Sequence, residues 1–497
     1  MSKNILLFYS IVALILMSAC KGQKDVDLKS AVASFVSNEK AVVGYGYVDV
    51  KSILDKSDMK SLKGIGEFVT EQLTSMENAI SMDQGIYYAV AGPLNNDGMP
   101  EKAYLFLKVK NKDSLQAMFS DMGYSFEEKN GKMVFDDMTT AIGFNNEIAV
   151  MISSDFKNKA LEDLERAFVK IADKNQSKRV VEVLETKTDI LLGTHLENLY
   201  GTSNTTLNKL PMDKQAELVS MAKDGHFATT IDFNPGNITI HTNMERVSEE
   251  LKKAFFFKPA FESDAVQKIG PGKPMVAFAT AMDIPKMEKF VNRMNPQFTD
   301  DLYKMFGPAG ILLKAVGGEG IGSVINGELS FALNAISADD MGGMVPEFNF
   351  YASLGPNNQF VTDLITTFGE EGEVQDLGDG YYKYGGAMAY IAKKEMIVHS
   401  SDSLKESFKT APLTSVPGME GFGKKPLYLF VDLKQVQKIG IPIGGEASEV
   451  LNAADYLVVE GDNTSLTVKL QMKDTKENAL KQIIHALKVS IQMNMSV

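Results

Sequence analysis

Apolar residues in this chain fall into short runs broken by turn-forming residues, and the runs come round twice in the same order. Residues 41–48 and 275–282 are extended apolar segments, each meeting an Asp and then a helical pattern. A strand pair is predicted next, at 85–91 with 103–109 and at 328–333 with 348–354. Each pair is followed by an amphipathic helix, at 114–122 and at 360–368. Short meandering strands then turn at Asn130-Gly131 and Gly378-Asp379-Gly380, the chemistry that tight hairpins use. A second strand-to-helix step begins at Ile190 and at Leu427. Each half closes with a hairpin and a helix: strands 227–233 and 238–242 with helix 247–255, then strands 456–459 and 466–470 with helix 477–489. Asn234-Pro235-Gly236-Asn237 and Gly461-Asp462-Asn463 supply the closing turns.

Short matches repeat the same message. Met99-Pro100-Glu101 returns as Val345-Pro346-Glu347 after 246 residues, and Ile152-Ser153-Ser154-Asp155 as His399-Ser400-Ser401-Asp402 after 247. Val48-Asp49-Val50 returns as Met282-Asp283-Ile284 after 234, and Leu251-Lys252 as Leu480-Lys481 after 229. Strands grouped in hairpins among helices predict an α+β fold with mainly antiparallel sheets. The expectation is two duplicated domains, 39–269 and 273–497, each a sheet with packed helices, joined at Gly270-Pro271-Gly272.

The first twenty residues follow another pattern. Lys3 precedes a mostly apolar run, 5–17, and Ser18-Ala19 stand before Cys20, the one cysteine of 497 residues. Charge, a run too short to span a bilayer, and small residues at a cleavage site make 1–19 a signal peptide. A cysteine directly after that site makes it a lipoprotein signal, so Cys20 is the expected lipidation site. Acyl groups such as palmitate there bind a membrane at about 0.8 kcal/mol per buried methylene. Residues 20–38 are expected to be a lipidated tether outside the fold.

Composition narrows the function classes. Apolar residues at 44% and charged residues at 23% are globular values. With one cysteine no disulfide forms within the chain, and 27 Met and 28 Phe must do much of the packing. A formal charge of −13 opposes a nucleic-acid partner and opposes attraction to an anionic bilayer.

Recurring polar residues have local explanations. Asp49, Asp283 and Asp432 stand between strand and helix, where an N-cap is needed, and His195 holds the same place in a fourth unit. Ser153-Ser154-Asp155 and Ser400-Ser401-Asp402 read as strand ends that cap helices. A nucleophilic serine there lacks a GxSxG elbow, and His399 beside Ser400 faces the other side of its strand. The histidines 195, 226, 241, 399 and 485 have no metal-ligand spacing, although His226 and His241 lie on two arms of one predicted hairpin. Glycines 317, 318, 320 and 322 fit neither phosphate-binding motif, and Glu370, Glu371, Glu373, Asp376 and Asp379 lack the EF-hand order. No catalytic, metal or cofactor-binding residue is assigned, and no cofactor is expected.

A lipobox, a lead-in helix, and a strand running into Asp49-Val50-Lys51-Ser52-Ile53-Leu54 together resemble a family of Bacteroidota lipoproteins, classed as domain of unknown function 4836. Where its members often carry a Pro-x-Asp-Ala type lead, this chain has Ser37-Asn38-Glu39-Lys40-Ala41. The resemblance implies an envelope lipoprotein and transfers no catalytic residues. The expected function is non-enzymatic: binding of a ligand or of a partner such as an envelope protein or glycan, or envelope assembly, from a lipid anchor on the periplasmic or cell-surface face of a bacterial outer membrane. The alternative is a hydrolase of envelope or dietary polymers built on a carboxylate pair, which 64 acidic residues permit.

Overall fold

The computed structural model describes residues 27–61, 66–95, 99–154, 159–202, 210–270, 272–295, 321–338, 344–370, 374–400, 413–439 and 446–495. It divides into two compact units, Met1–Ser248 with Asp474–Val497, and Glu249–Lys473. These bounds differ from 39–269 and 273–497. Residues 249–269 fall with the second unit because Ala265 and Ile269 are buried in its core. The last residues fall with the first unit, where Ile484 of the C-terminal helix, Ala479–Met495, packs.

In the first unit, residues placed in the tether by sequence turn out to be core. Helix α1, Leu28–Asn38, buries Leu28, Ala31, Val32, Phe35 and Val36. Ala33 and Ser34 are buried as well, so the helix is covered on most sides, as a core helix is and a free leader is not. Strand β1, Val42–Val48, leads to α2, Val50–Ser57, and α3, Gly66–Ala79. The pair β2, Ile86–Leu94, and β3, Pro100–Lys108, is followed by α4, Lys112–Asp121. A meander comes next: β4, Glu127–Lys129; β5, Lys132–Asp136; β6, Thr140–Phe144; and β7, Ile148–Ser154. Then come α5, Ala160–Ile171, α6, Lys178–Leu184, β8, Ile190–His195, α7, Leu196–Thr202, and α8, Met212–Met221. The hairpin β9, His226–Asn234, and β10, Asn237–Arg246, completes the set. Asn130 and Gly131 both take positive φ at the β4–β5 turn, as their residue types anticipate.

Every pairing in this unit is antiparallel, in the order 4-5-6-7-3-2-1-8-9-10. Helices cover both faces. One core joins Tyr104, Phe106, Val150 and Ile152 to α1, α5 and α6; the other joins Leu107, Ala149 and Met151 to α3 and α4. Residues 104 to 107 and 149 to 152 thus alternate between two apolar layers. A sheet buried on both sides needs such runs rather than the apolar–polar alternation of a half-exposed one.

The second unit begins with α9, Glu249–Lys252. The longer helix expected over 247–255 stops early because Phe257 bridges Met282 and Lys258 N–H donates to the Ala281 carbonyl. Its strands are β11, Val276–Ala281; β12, Ile325–Ala338; β13, Met344–Leu354; β14, Val374–Gly378; and β15, Tyr381–Tyr384. They continue as β16, Ala387–Ala392; β17, Glu395–His399; β18, Leu427–Asp432; β19, Ala454–Gly461; and β20, Ser465–Met472. Among them stand α10, Ile284–Met294, α11, Gln359–Glu370, α12, Leu433–Lys438, and α13, Glu446–Ala453. The order is 14-15-16-17-13-12-11-18-19-20, again antiparallel throughout. Counted from each unit's first strand, the two orders are the same. The fold is α+β.

No helix corresponding to α1 is described before β11. Instead the loop at 258–263 is stapled to β12 by the buried Glu328 carboxylate, which accepts from Glu262 N at 2.7 Å and Ser263 N at 2.9 Å. Burial pushes this carboxyl up, but those hydrogen bonds and Lys258 outweigh it and leave its pKa below the usual range.

Candidate binding site

Asp49, Asp283 and Asp432 are N-caps, as their position between strand and helix predicts. Each carboxylate accepts from the backbone N–H three residues on, Ser52, Lys286 and Gln435, at 2.9 Å. His195 departs from this pattern. It ends β8 immediately before α7, and its ring faces two other aromatic side chains.

Register explains that grouping. Tyr45 pairs with Gly193 across β1 and β8, and His195 pairs with His226 across β8 and β9. Paired residues and residues two apart share a sheet face, so all four lie on one side. The His195 and His226 rings meet edge-on with centroids 5.1 Å apart, and Tyr45 lies 5.4 Å from His195. Tyr45 Oη and His226 Nε2 are 2.9 Å apart and share a hydrogen bond. Gly193 makes the space: a Cβ there would sit 2.7 Å from the Tyr45 ring. Both Tyr45 and His226 are fully buried, and His226 Nδ1 has no partner among the described residues.

Beside the histidines lies a cavity of about 340 Å³, lined by Lys178, Arg179, His195, Glu197, Asp224 and Arg246, with Ser177, Asn198 and Gly225. The first turn of α6 brings Arg179, whose Nη1 donates to the Asp224 carbonyl at 2.8 Å. Asp224 takes a left-handed φ of 59° in the turn between α8 and β9, which suits Asp better than a β-branched residue. Arg246 ends β10, opposite His226 across an irregularity in the register. Arg179 Nη2 is buried with no partner among the described residues.

Electrostatics follow from this enclosure. Burial, then the neighbouring Arg246 charge, pulls the Arg179 pKa down. Burial, then Arg179, lowers His195 to about 4, and burial, then His195 and Arg179, lowers His226 to about 3. Both rings are therefore neutral at neutral pH. Burial foremost raises the Tyr45 phenol, which stays protonated. The cavity thus presents guanidinium donors and neutral imidazole, which suits holding a polar or anionic group.

Other residues singled out by sequence are dispersed. His241 faces Thr230, not His226, in the β9–β10 register, so the two histidines of that hairpin do not meet. His399 is buried on β17 opposite Asn349, and burial lowers its pKa to about 4. Ser400 Oγ accepts from Phe348 N at 2.7 Å. Ser153 and Ser154 end β7 without capping the next helix; α5 begins at Ala160, and its N-cap, Lys159, makes no side-chain cap bond. The reason is spacing, since five residues separate Ser154 from Ala160. Cys20, Asp155, Ser401, Asp402, Pro271 and glycines 317, 318 and 320 lie outside the described residues. Asp376 accepts from Gly378 N at 2.8 Å within its own hairpin, and among the described residues no three His, Cys, Asp or Glu side chains gather as a metal site.

Carboxylates also serve as staples. Asp189 Oδ1 accepts from Ser52 Oγ and Lys56 Nζ, both at 2.6 Å, and its Oδ2 accepts from Phe233 N at 2.7 Å. Its neighbour Asp232 accepts from Thr188 Oγ1 at 2.8 Å. Asp163 on α5 pairs with Lys102 at 3.1 Å and with Arg166. These bonds tie helices to strand ends.

Among the described residues no helix is long and apolar enough to cross a membrane. No family model matches the chain, and no curated protein matches it. Among solved structures, crystal form I of TP0453 is similar over 46% of this chain and 82% of that one, at 10% identity and a TM-score of 0.26. Crystal form III of TP0453 is similar over 49% and 92%, at 8% identity and a TM-score of 0.27. Likenesses of that size carry no argument about what this chain does.

Proposed function

We propose that this chain is a lipoprotein of the bacterial cell envelope, anchored to the outer membrane through acyl groups on Cys20, which acts by binding a ligand or partner. The anchor rests on Lys3, the apolar run and Ser18-Ala19-Cys20. Binding rests on one observation above the others: Arg179 lines a polar cavity while its Nη2 is buried without a partner among the described residues. A buried donor left unmade costs about 1–3 kcal/mol, which a bound acceptor would recover. The shared strand order supports descent of the two units from one duplicated domain, and the pattern at Asp49 to Leu54 supports kinship with the Bacteroidota lipoproteins of domain of unknown function 4836.

Two measurements test this reading. Cys20→Ala should leave the protein soluble or unprocessed, and unchanged membrane fractionation would overturn the anchor. The natively lipidated protein should capture an envelope protein or glycan identified by mass spectrometry, with capture reduced in Arg179→Gln. Capture indifferent to that substitution overturns the cavity as the partner's binding site, and no capture overturns an envelope protein or glycan as the partner.

A further inference from the structure

The composition and hydrogen bonding of the His195 cavity define its ligand more narrowly. We infer that this cavity binds the carboxylate of a small organic acid, clamped between Arg179 and Arg246 beside His195. The inference rests on the cavity being the binding site. Two guanidinium groups, Arg179 and Arg246, line it with two carboxylates, Glu197 and Asp224, while the exposed Lys178 pairs with Glu182. Two guanidinium groups brought to one cavity in a chain of formal charge −13 mark a place for an anion.

The donors fit a carboxylate in particular. Arg179 uses Nη1 on the Asp224 carbonyl and keeps a buried, unpartnered Nη2. A planar guanidinium gives parallel N–H bonds to a carboxylate, which an ammonium cannot match. Arg246 is close enough to depress Arg179, so the cavity holds two like charges whose mutual repulsion an intervening anion relieves. Glu197 and Asp224 balance Arg179 and Arg246 in formal charge, as Glu182 balances Lys178, so the cavity suits a monoanion better than a phosphate dianion. A volume of about 340 Å³ is near the lower end of ligand sites, so the acid is small.

The test uses the full lipidated protein in detergent micelles, titrated with acetate, acetamide and inorganic phosphate by calorimetry and histidine NMR. Acetate should bind saturably, with acetamide at least tenfold weaker. Arg179→Lys, which keeps charge but loses the fork, should weaken acetate at least tenfold, and the exposed Arg246→Gln should do so as well. Acetate should also raise the His195 pKa from about 4, because a nearby anion favours imidazolium. Phosphate binding tighter than acetate overturns the carboxylate assignment. No saturable acetate binding, or binding unchanged in both variants, overturns the inference. If an uncharged envelope ligand is instead captured in an Arg179-dependent way, the binding reading stands and the carboxylate assignment falls.

Discussion

Gly193 governs whether the aromatic trio can form. Its missing side chain lets the Tyr45 ring lie across β8, so Gly193→Ala forces a Cβ into that ring at 2.7 Å. Overpacking of this kind costs about 1–3 kcal/mol. The urea midpoint should drop accordingly, and the His226 NMR signals should shift as the Tyr45 contact changes; an unaltered midpoint would show that the ring yields freely. The histidines carry a pH dependence of definite sign. An unfolded histidine titrates near 6.5, whereas His195 and His399 fall to about 4 and His226 to about 3 in the folded chain. The unfolded state therefore takes up protons first on acidification. Their contribution to stability is complete above pH 6.5 and is lost as the pH falls through 4 and 3. Each such histidine adds up to about 1.4 kcal/mol of lost stability per pH unit. The unfolding free energy of His226→Gln, from urea melts, should fall less steeply between pH 7 and 4.5 than that of the parent chain; equal pH dependence would remove His226 from the acid response.

At the scale of elements, α1 is the clearest case of a segment whose role depends on packing. The Phe35 ring packs at a tilt against Tyr104 and Phe106, with centroids 4.7 Å and 5.0 Å away, and Leu28 and Val32 are completely buried. Phe35→Ala should cost about 3–5 kcal/mol, the range for a large aromatic removed from a core. A chain begun at residue 39 should accordingly lose cooperative unfolding of the first unit, while one begun at residue 27 keeps it. Circular dichroism melts of the two chains decide the matter, and equal melts would mean that α1 contributes little. The strand-to-helix junctions were legible beforehand because an Asp N-cap acts within three residues of itself. The β7–α5 junction was not, because nothing local to Ser153 and Ser154 reports that the helix starts only at Ala160.

At the scale of the whole molecule, two compact units with separate cores imply that unfolding is not a single transition. Calorimetry should resolve two components. Ending the chain after Lys473 removes the helix that carries Ile484 into the first unit's core, so one component should move to lower temperature and the other stay. A shift of both components alike would contradict the assignment of 474–497 to the first unit. Strand positions, hairpin turns and the α+β class were readable along the chain, because periodicity, turn chemistry and capping depend on near neighbours. The same local logic recovered both strand sets and the Asp49, Asp283 and Asp432 caps. Membership of the cores, the true unit bounds and the cavity were not readable. His195 and His226 stand 31 positions apart, and Tyr45 far from either; only the β1–β8–β9 register places them on one face. Arg179 meets them from a helix laid over that face, and its buried donor acquires meaning only once water is excluded around it. Residue order thus sets what depends on a few adjacent bonds. Burial, partner choice and shifted protonation depend on which distant segments exclude water from one another, and those arise with the folded sheet.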